Sequence, residues 1–147
     1  MNLVLQKLKS VFLKIKTKSG GYLLKLFFLI VILTISTFLI NLFSYFDPFS
    51  FCYIGIDNDI VKGNQSSIKK AIILIKKNDP EDYDVLCKYV DTVAENNCPG
   101  LAPGCYIKGS KIVLLSPTQD ESALAVVTRV QTIKKYAYFS KNFWDSW

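Results

Sequence analysis

The chain has 147 residues, half of them apolar, a formal charge of +6 and no histidine. That length allows one domain and little more. The missing histidine removes Ser–His and Cys–His nucleophile pairs and most catalytic zinc sites, and no glycine-rich phosphate loop appears. The charge does not point to nucleic acid. Lys7, Lys9, Lys14, Lys16, Lys18 and Lys25 lie in the N-terminal part, whereas all 12 acidic residues follow at Asp47 and beyond. The remainder is therefore balanced and offers phosphates no net basic field.

Residues 1–21 form a basic arm. Leu5, Leu8, Phe12 and Ile15 recur at helical spacing among lysines, which predicts a helix lying on an anionic inner leaflet; the alternative is a positive tail without fixed structure. Ser19-Gly20-Gly21 separates the arm from the next element.

Residues 22–46 are the expected transmembrane helix. From Leu26 to Phe46 there is no charge, and at about 1.5 Å per residue such a run spans roughly 30 Å, the thickness of a hydrocarbon core. Thr34, Ser36, Thr37 and Ser44 do not spoil it, because their hydroxyls can bond back to helix carbonyls. Tyr45, Phe46, Phe49, Phe51 and Tyr53 collect at the far end, where amphipathic rings favour the headgroup zone. A domain this small could hardly bury such a helix on every side. The long basic leader, the length of the apolar run and the poor cleavage context of Phe46-Asp47-Pro48-Phe49 favour an uncleaved signal anchor over a secretory leader. The lysine asymmetry then keeps the N-terminus in the cytoplasm and places residues 47–147 outside.

Cys52, Cys87, Cys98 and Cys105 all fall on the outer side, where an even set supports two disulfides in three possible connectivities. Cys98 and Cys105 bracket a short Pro/Gly loop and are the favoured pair, which leaves Cys52 with Cys87. Four buried thiols are the alternative. No C-x₂₋₄-C pair supports a zinc cage.

Phe51–Ile56 reads as a short strand leading into the turn Asp57-Asn58-Asp59. Val61 and Ile68 occupy positions where an EF-hand needs oxygen ligands, so the turn is not a calcium loop. Asn64-Gln65-Ser66 is a formal glycosylation triplet. Three helices are expected. The first, about 65–77, buries Ile68, Ala71, Ile72 and Ile75. The second starts at Asp79-Pro80, with Glu81 and Asp82 favouring its positive end, and buries Tyr83, Leu86, Cys87, Val90, Val93 and Ala94. A hairpin follows, Cys105–Ile107 with Ile112–Leu115 about Gly109-Ser110. Thr118-x-x-Glu121 is a capping box for the third helix, about 119–139, which buries Ala123, Val126, Val127, Val130, Ile133 and Ala137. The aromatic tail from Tyr136 to Trp147 folds back on the domain or touches lipid. The expected fold is therefore α+β: one transmembrane helix, then a small, mainly helical domain with one β-hairpin.

Over about residues 65–140, the order of Ile68–Ala71, Asp79-Pro80-x-x-Tyr83, Tyr89-Val90-Asp91, the cysteine loop, the Ile112–Leu115 strand and the Leu124–Lys135 helix resembles small zincin-like metallopeptidase domains. The resemblance implies an H-E-x-x-H segment on the helix after the strand, with two histidines on zinc and an acid activating water. Thr128-Arg129-Val130-Gln131-Thr132 stands in that register here. Threonine hydroxyls are poor zinc ligands at neutral pH and Arg129 repels a cation, so the motif is lost. What remains is a degenerate cleft of Thr128, Arg129 and Thr132, with Arg129 placed to meet an anionic group.

No acidic residue stands in an apolar context that would raise its pKa. The expected function is a non-catalytic binding or scaffolding domain at the cell envelope, without cofactor or bound metal. Its partners are the bilayer and another envelope or membrane protein. The rival expectations are a membrane-anchored hydrolase with an unrecognised site and a small accessory subunit of a membrane complex.

Overall fold

A computed structural model of the chain describes residues 20–57, 61–99 and 102–147. The basic helix expected in the N-terminal arm and the centre of the Asp57–Asp59 turn lie outside these residues. The chain divides into two compact units, Met1–Leu39 and Ile40–Trp147.

Helix α1 runs from Gly20 to Phe43. Its segment Gly21–Leu42, 22 residues, is long and apolar enough to cross a membrane, and none of its most apolar stretch is buried. A membrane anchor and a secretory leader share that property. Three of the four hydroxyls behave as the sequence predicts: Thr34 donates to Val31 O, Thr37 to Leu33 O and Thr34 O, and Ser44 to Ile40 O. The helix ends sooner than expected. Ser44–Phe46, assigned to the span on hydropathy, instead begin strand β1 (Ser44–Asp47).

The second unit is a mixed α+β domain, as the sequence predicts, but with a five-stranded sheet in place of the single hairpin expected. β1 pairs antiparallel with β2 (Cys52–Asp57), and the chain then forms helices α2 (Gln65–Asn78) and α3 (Pro80–Tyr89). Strand β3 (Thr92–Glu95) lies parallel to β2; β4 (Gly104–Tyr106) and β5 (Ile112–Leu115) make the expected hairpin. β5 is parallel to β3, which gives the order β1-β2-β3-β5-β4 with β3 at the centre. Helix α4 (Ala123–Trp144) follows.

Side-chain alternation explains the layers. Ile54, Ile56, Val93, Val113 and Leu115 point from the sheet into one core with Ile68, Ala71, Ile72 and Ile75 of α2, Tyr83 and Leu86 of α3, and Val126, Ile133 and Ala137 of α4. The apolar face predicted for α2 is buried throughout. The one predicted for α3 divides: the helix stops at Tyr89, Val90 is its extended C-cap, and Val93 and Ala94 belong to β3. One further local expectation is corrected: α4 is capped by Ser122, whose side chain accepts from Ala125 N–H, while Glu121 instead binds Asn64 and Lys70. Asp79 stands at the N-cap of α3 before Pro80, as the sequence predicts, though without a side-chain cap bond; its carboxylate pairs with Lys134 of α4. On α4, Ala123 and Val127 are exposed, whereas Arg129, Thr132 and Ser140 are buried.

Both disulfides form. Cys52–Cys87 joins β2 to α3 with 5.2 Å between Cα atoms, and Cys98–Cys105 closes the loop before β4 at 5.8 Å. The first links residues 35 apart, the second residues seven apart. By loop-closure entropy the longer bridge stabilises by about 4 kcal/mol and the shorter by about 2. We expect Cys52→Ser/Cys87→Ser to lower the thermal midpoint clearly more than Cys98→Ser/Cys105→Ser; equal losses in a melting experiment would contradict this ordering.

Asp47, at the end of β1, is buried among α2 and α3. It accepts from Lys76 Nζ and from Tyr83 O–H at 2.9 Å; Tyr45 O–H lies 3.1 Å from the Tyr83 oxygen. Burial pushes the Asp47 carboxyl upward, but the bonds from Lys76, Tyr83, Ser50 and the Phe49 amide outweigh it and lower its pKa from 3.8 to about 2. A carboxyl depressed on folding contributes stability above its unfolded pKa and loses it as the pH falls through the folded one. Wild type and Asp47→Asn should therefore differ in thermal midpoint at pH 6 and converge between pH 4 and pH 2. A gap independent of pH would show that the ionised carboxylate is not what stabilises.

Candidate functional site

The three cleft residues expected from the zincin-like register come together. Thr128, Arg129 and Thr132 occupy successive turns of α4 and line one cavity of about 280 Å³, with Pro103, Ser116, Pro117, Thr118, Asp120, Leu124 and Ala125. Thr128 is exposed; Arg129 and Thr132 are buried.

The local sequence explains how the helix reaches the sheet here. Gly104, on β4, faces α4 so closely that a Cβ would lie 2.5 Å from both Leu114 O and a Thr132 methyl carbon. Only glycine lets the helix approach the strand at this distance. Tyr136, one turn further on, donates to Gly104 O at 2.8 Å and holds the same contact from the other side.

Arg129 does not stand free to meet an anion. Its Nη2 donates to Glu95 Oε1 and, at 3.3 Å, to Thr118 O. Glu95 closes the central strand, and its side chain is wholly buried. Its other oxygen accepts the Asn64 amide at 2.9 Å, and Asn64 in turn caps α2 through Ser67 N–H. This acid was not recognisable from the sequence, because Glu95-Asn96-Asn97 reads as the polar start of a loop. The β-rich Thr92-Val93-Ala94 before it was the available signal. Two guanidinium nitrogens, Nε and Nη1, are buried without a hydrogen-bond partner among the described residues. Leaving such donors unpaired costs about 1–3 kcal/mol, which marks the spot as more than packing.

The residues do not fit the zinc that the register implies. The Thr128 hydroxyl donates to Leu124 O and the Thr132 hydroxyl to Thr128 O, and between them stands a cation already paired with Glu95. Among the described residues no group of three or more His, Cys, Asp or Glu side chains gathers as a metal site would require. The Asp47 cluster is tuned away from proton transfer. A carboxyl near pKa 2 is a weak base at neutral pH, and burial together with its bonds to Tyr45 and Asp47 raises Tyr83, which keeps the phenol a donor.

A second cavity, about 450 Å³ and mostly apolar, lies between the β4–β5 hairpin and the C-terminal half of α4, lined by Cys105, Tyr106, Lys108, Tyr136, Phe139 and Phe143. The aromatic tail thus folds onto the domain as helix. Ser140 donates to Tyr89 O, and Tyr89 O–H donates to Asp145, while Phe139, Trp144 and Trp147 keep an exposed side.

No protein-family model, curated protein or solved structure matches the chain.

The buried pair should behave as a unit. Arg129→Met leaves Glu95 charged and unpaired and is expected to cost about 3–5 kcal/mol of stability. Adding Glu95→Gln, whose amide oxygen can still accept from Asn64, should recover a large part of that loss. Additive losses in denaturant melts of the two single variants and the double variant would exclude coupling.

Proposed function

We propose that this chain is a single-pass membrane protein with a cytoplasmic basic arm and a disulfide-stapled outer domain over residues 47–147, which binds a partner rather than catalysing a reaction. The observation that carries the reading is the exposed apolar helix α1, with lysines on one side and two disulfides on the other. Lysine-rich flanks are held on the cytoplasmic side, and disulfides persist in oxidising compartments. The two features therefore favour the same orientation independently.

The binding role rests on chemistry at the cavity beside α4. Most of its polar groups are held by the fold itself: the Thr128 and Thr132 hydroxyls donate to helix carbonyls, Asp120 accepts from Ser122, and Arg129 donates to Glu95. A zincin-like ancestry is part of this reading: a helix following a strand hairpin, with its metal-binding positions replaced by Thr128, Arg129 and Thr132. The exposed Phe139, Trp144 and Trp147 favour a second reading, an accessory subunit of a membrane complex.

The test is topological. The protein should resist carbonate extraction of vesicles, and after reduction of intact cells a membrane-impermeant maleimide should label its cysteines. Release by carbonate, or labelling only after the membrane is permeabilised, would overturn the proposal.

A further inference from the structure

The cavity beside α4 has a donor set without a matching field. Arg129 is the sole arginine of the chain, and its charge is cancelled by the wholly buried Glu95. Asp120 also lines the cavity, its two oxygens accepting the N–H and O–H of Ser122. Glu121, one residue on, pairs with Lys70. Among the described residues, the charged groups named here therefore sum to no positive excess, and an incoming anion would meet Asp120. The guanidinium nevertheless keeps Nε–H and Nη1–H unpaired. The walls around it are largely apolar: Pro103, Pro117, Leu124 and Ala125.

We infer that this cavity accepts a neutral carbonyl oxygen, of the kind a peptide or primary amide carries, on the unpaired N–H groups of Arg129, with an aliphatic side chain of the ligand against Pro117 and Leu124. A neutral oxygen satisfies the donors without paying for burial of a charge, and a hydrogen bond from a charged donor is stronger than one from a neutral group. Leu124 and Thr128, which line the cavity with Arg129, are themselves exposed, and the oxygen reaches the buried N–H groups by displacing side chains of this wall. This corrects the expectation that Arg129 meets an anion: Glu95 already fills that role from within the fold. The inference rests on the reading of the outer domain as a binding module.

The single arginine makes the test direct. Full-length protein labelled with ¹⁵N-arginine, in detergent micelles, carries one side-chain Nε–H signal. Titration with N-acetyl-leucine amide should move that signal saturably, and at pH 7 the matched carboxylate, N-acetyl-leucine, and inorganic phosphate should bind at least several-fold more weakly. Ala125→Leu, which narrows the cavity without touching the Arg129–Glu95 pair, should abolish the titration while the thermal midpoint stays near that of wild type. Tighter binding of the carboxylate or phosphate would overturn the inference, as would an Nε–H that contacts only water and ignores the amide. If the amide fails while the tagged protein still captures a partner from its native membrane, the cavity assignment falls and the binding-module reading stands.

Discussion

The carboxylate of Glu95 is the point on which the outer domain depends. One side chain at the end of the central strand holds the start of α2 through the Asn64 amide and the middle of α4 through Arg129. Arg129 in turn holds the segment before α4 through Thr118 O. Three pieces of chain that are distant in sequence therefore meet on one buried ion pair. Hydrophobic burial alone would hold α4 less strictly in place along the sheet, because Val126, Ile133 and Ala137 present an apolar stripe. A buried pair has a single favourable geometry, and any displacement leaves a charge unpaired in a poorly polarisable interior. The Arg129–Glu95 pair thus adds a polar preference to the register that core packing gives α4, and Gly104 and Tyr136 set its distance.

A similar division of labour operates where the apolar helix enters the domain. Helix α1 has no basic residue in its last turn to serve its final carbonyls, and Ser44 O–H serves Ile40 O. Lys69 of α2 donates to Asn41 O and Leu42 O, at the expense of a pKa lowered by burial. Phe46 N–H is satisfied by the Asn41 side chain, and Asp47 by Lys76 and Tyr83. The chain leaves the helix directly into an edge strand, with Ile40 O, Asn41 O, Leu42 O and Phe46 N–H each bonded to a side chain.

How much of this the residues disclose depends on whether a signal is local. The α2 stripe of Ile68, Ala71, Ile72 and Ile75, the Asp79-Pro80 helix start and the Gly109-Ser110 hairpin each depend on neighbours within one or two turns, and each reads correctly. The stretch Val90–Glu95 misleads, because Tyr83, Leu86, Val90 and Val93 keep helical spacing across a real break. A strand buried on both faces shows no alternation to contradict that period. Ser44–Asp47 misleads for a related reason: a four-residue strand beside a long apolar helix is too short to interrupt its hydropathy. At the site, the register singled out Thr128, Arg129 and Thr132, which line one cavity. It could not supply Glu95, since the partner of a buried charge is chosen by tertiary approach over 34 residues of separation.

That missing partner changes what the site can do. An arginine considered alone is an anion receptor, and on α4 it would be expected to hold a phosphate or a carboxylate. With Glu95 beneath it, the guanidinium becomes part of the scaffold, and only its residual N–H groups remain to meet a ligand. A protein with many arginines can spend one on structure and another on recognition. This chain has one, buried yet not fully bonded. The same side chain must then both fix the helix and present donors to the cavity, so occupancy of the cavity and rigidity of α4 are coupled through a single planar group. A ligand that completes the guanidinium's hydrogen bonds will stabilise the packing of α4 on the sheet in the same act.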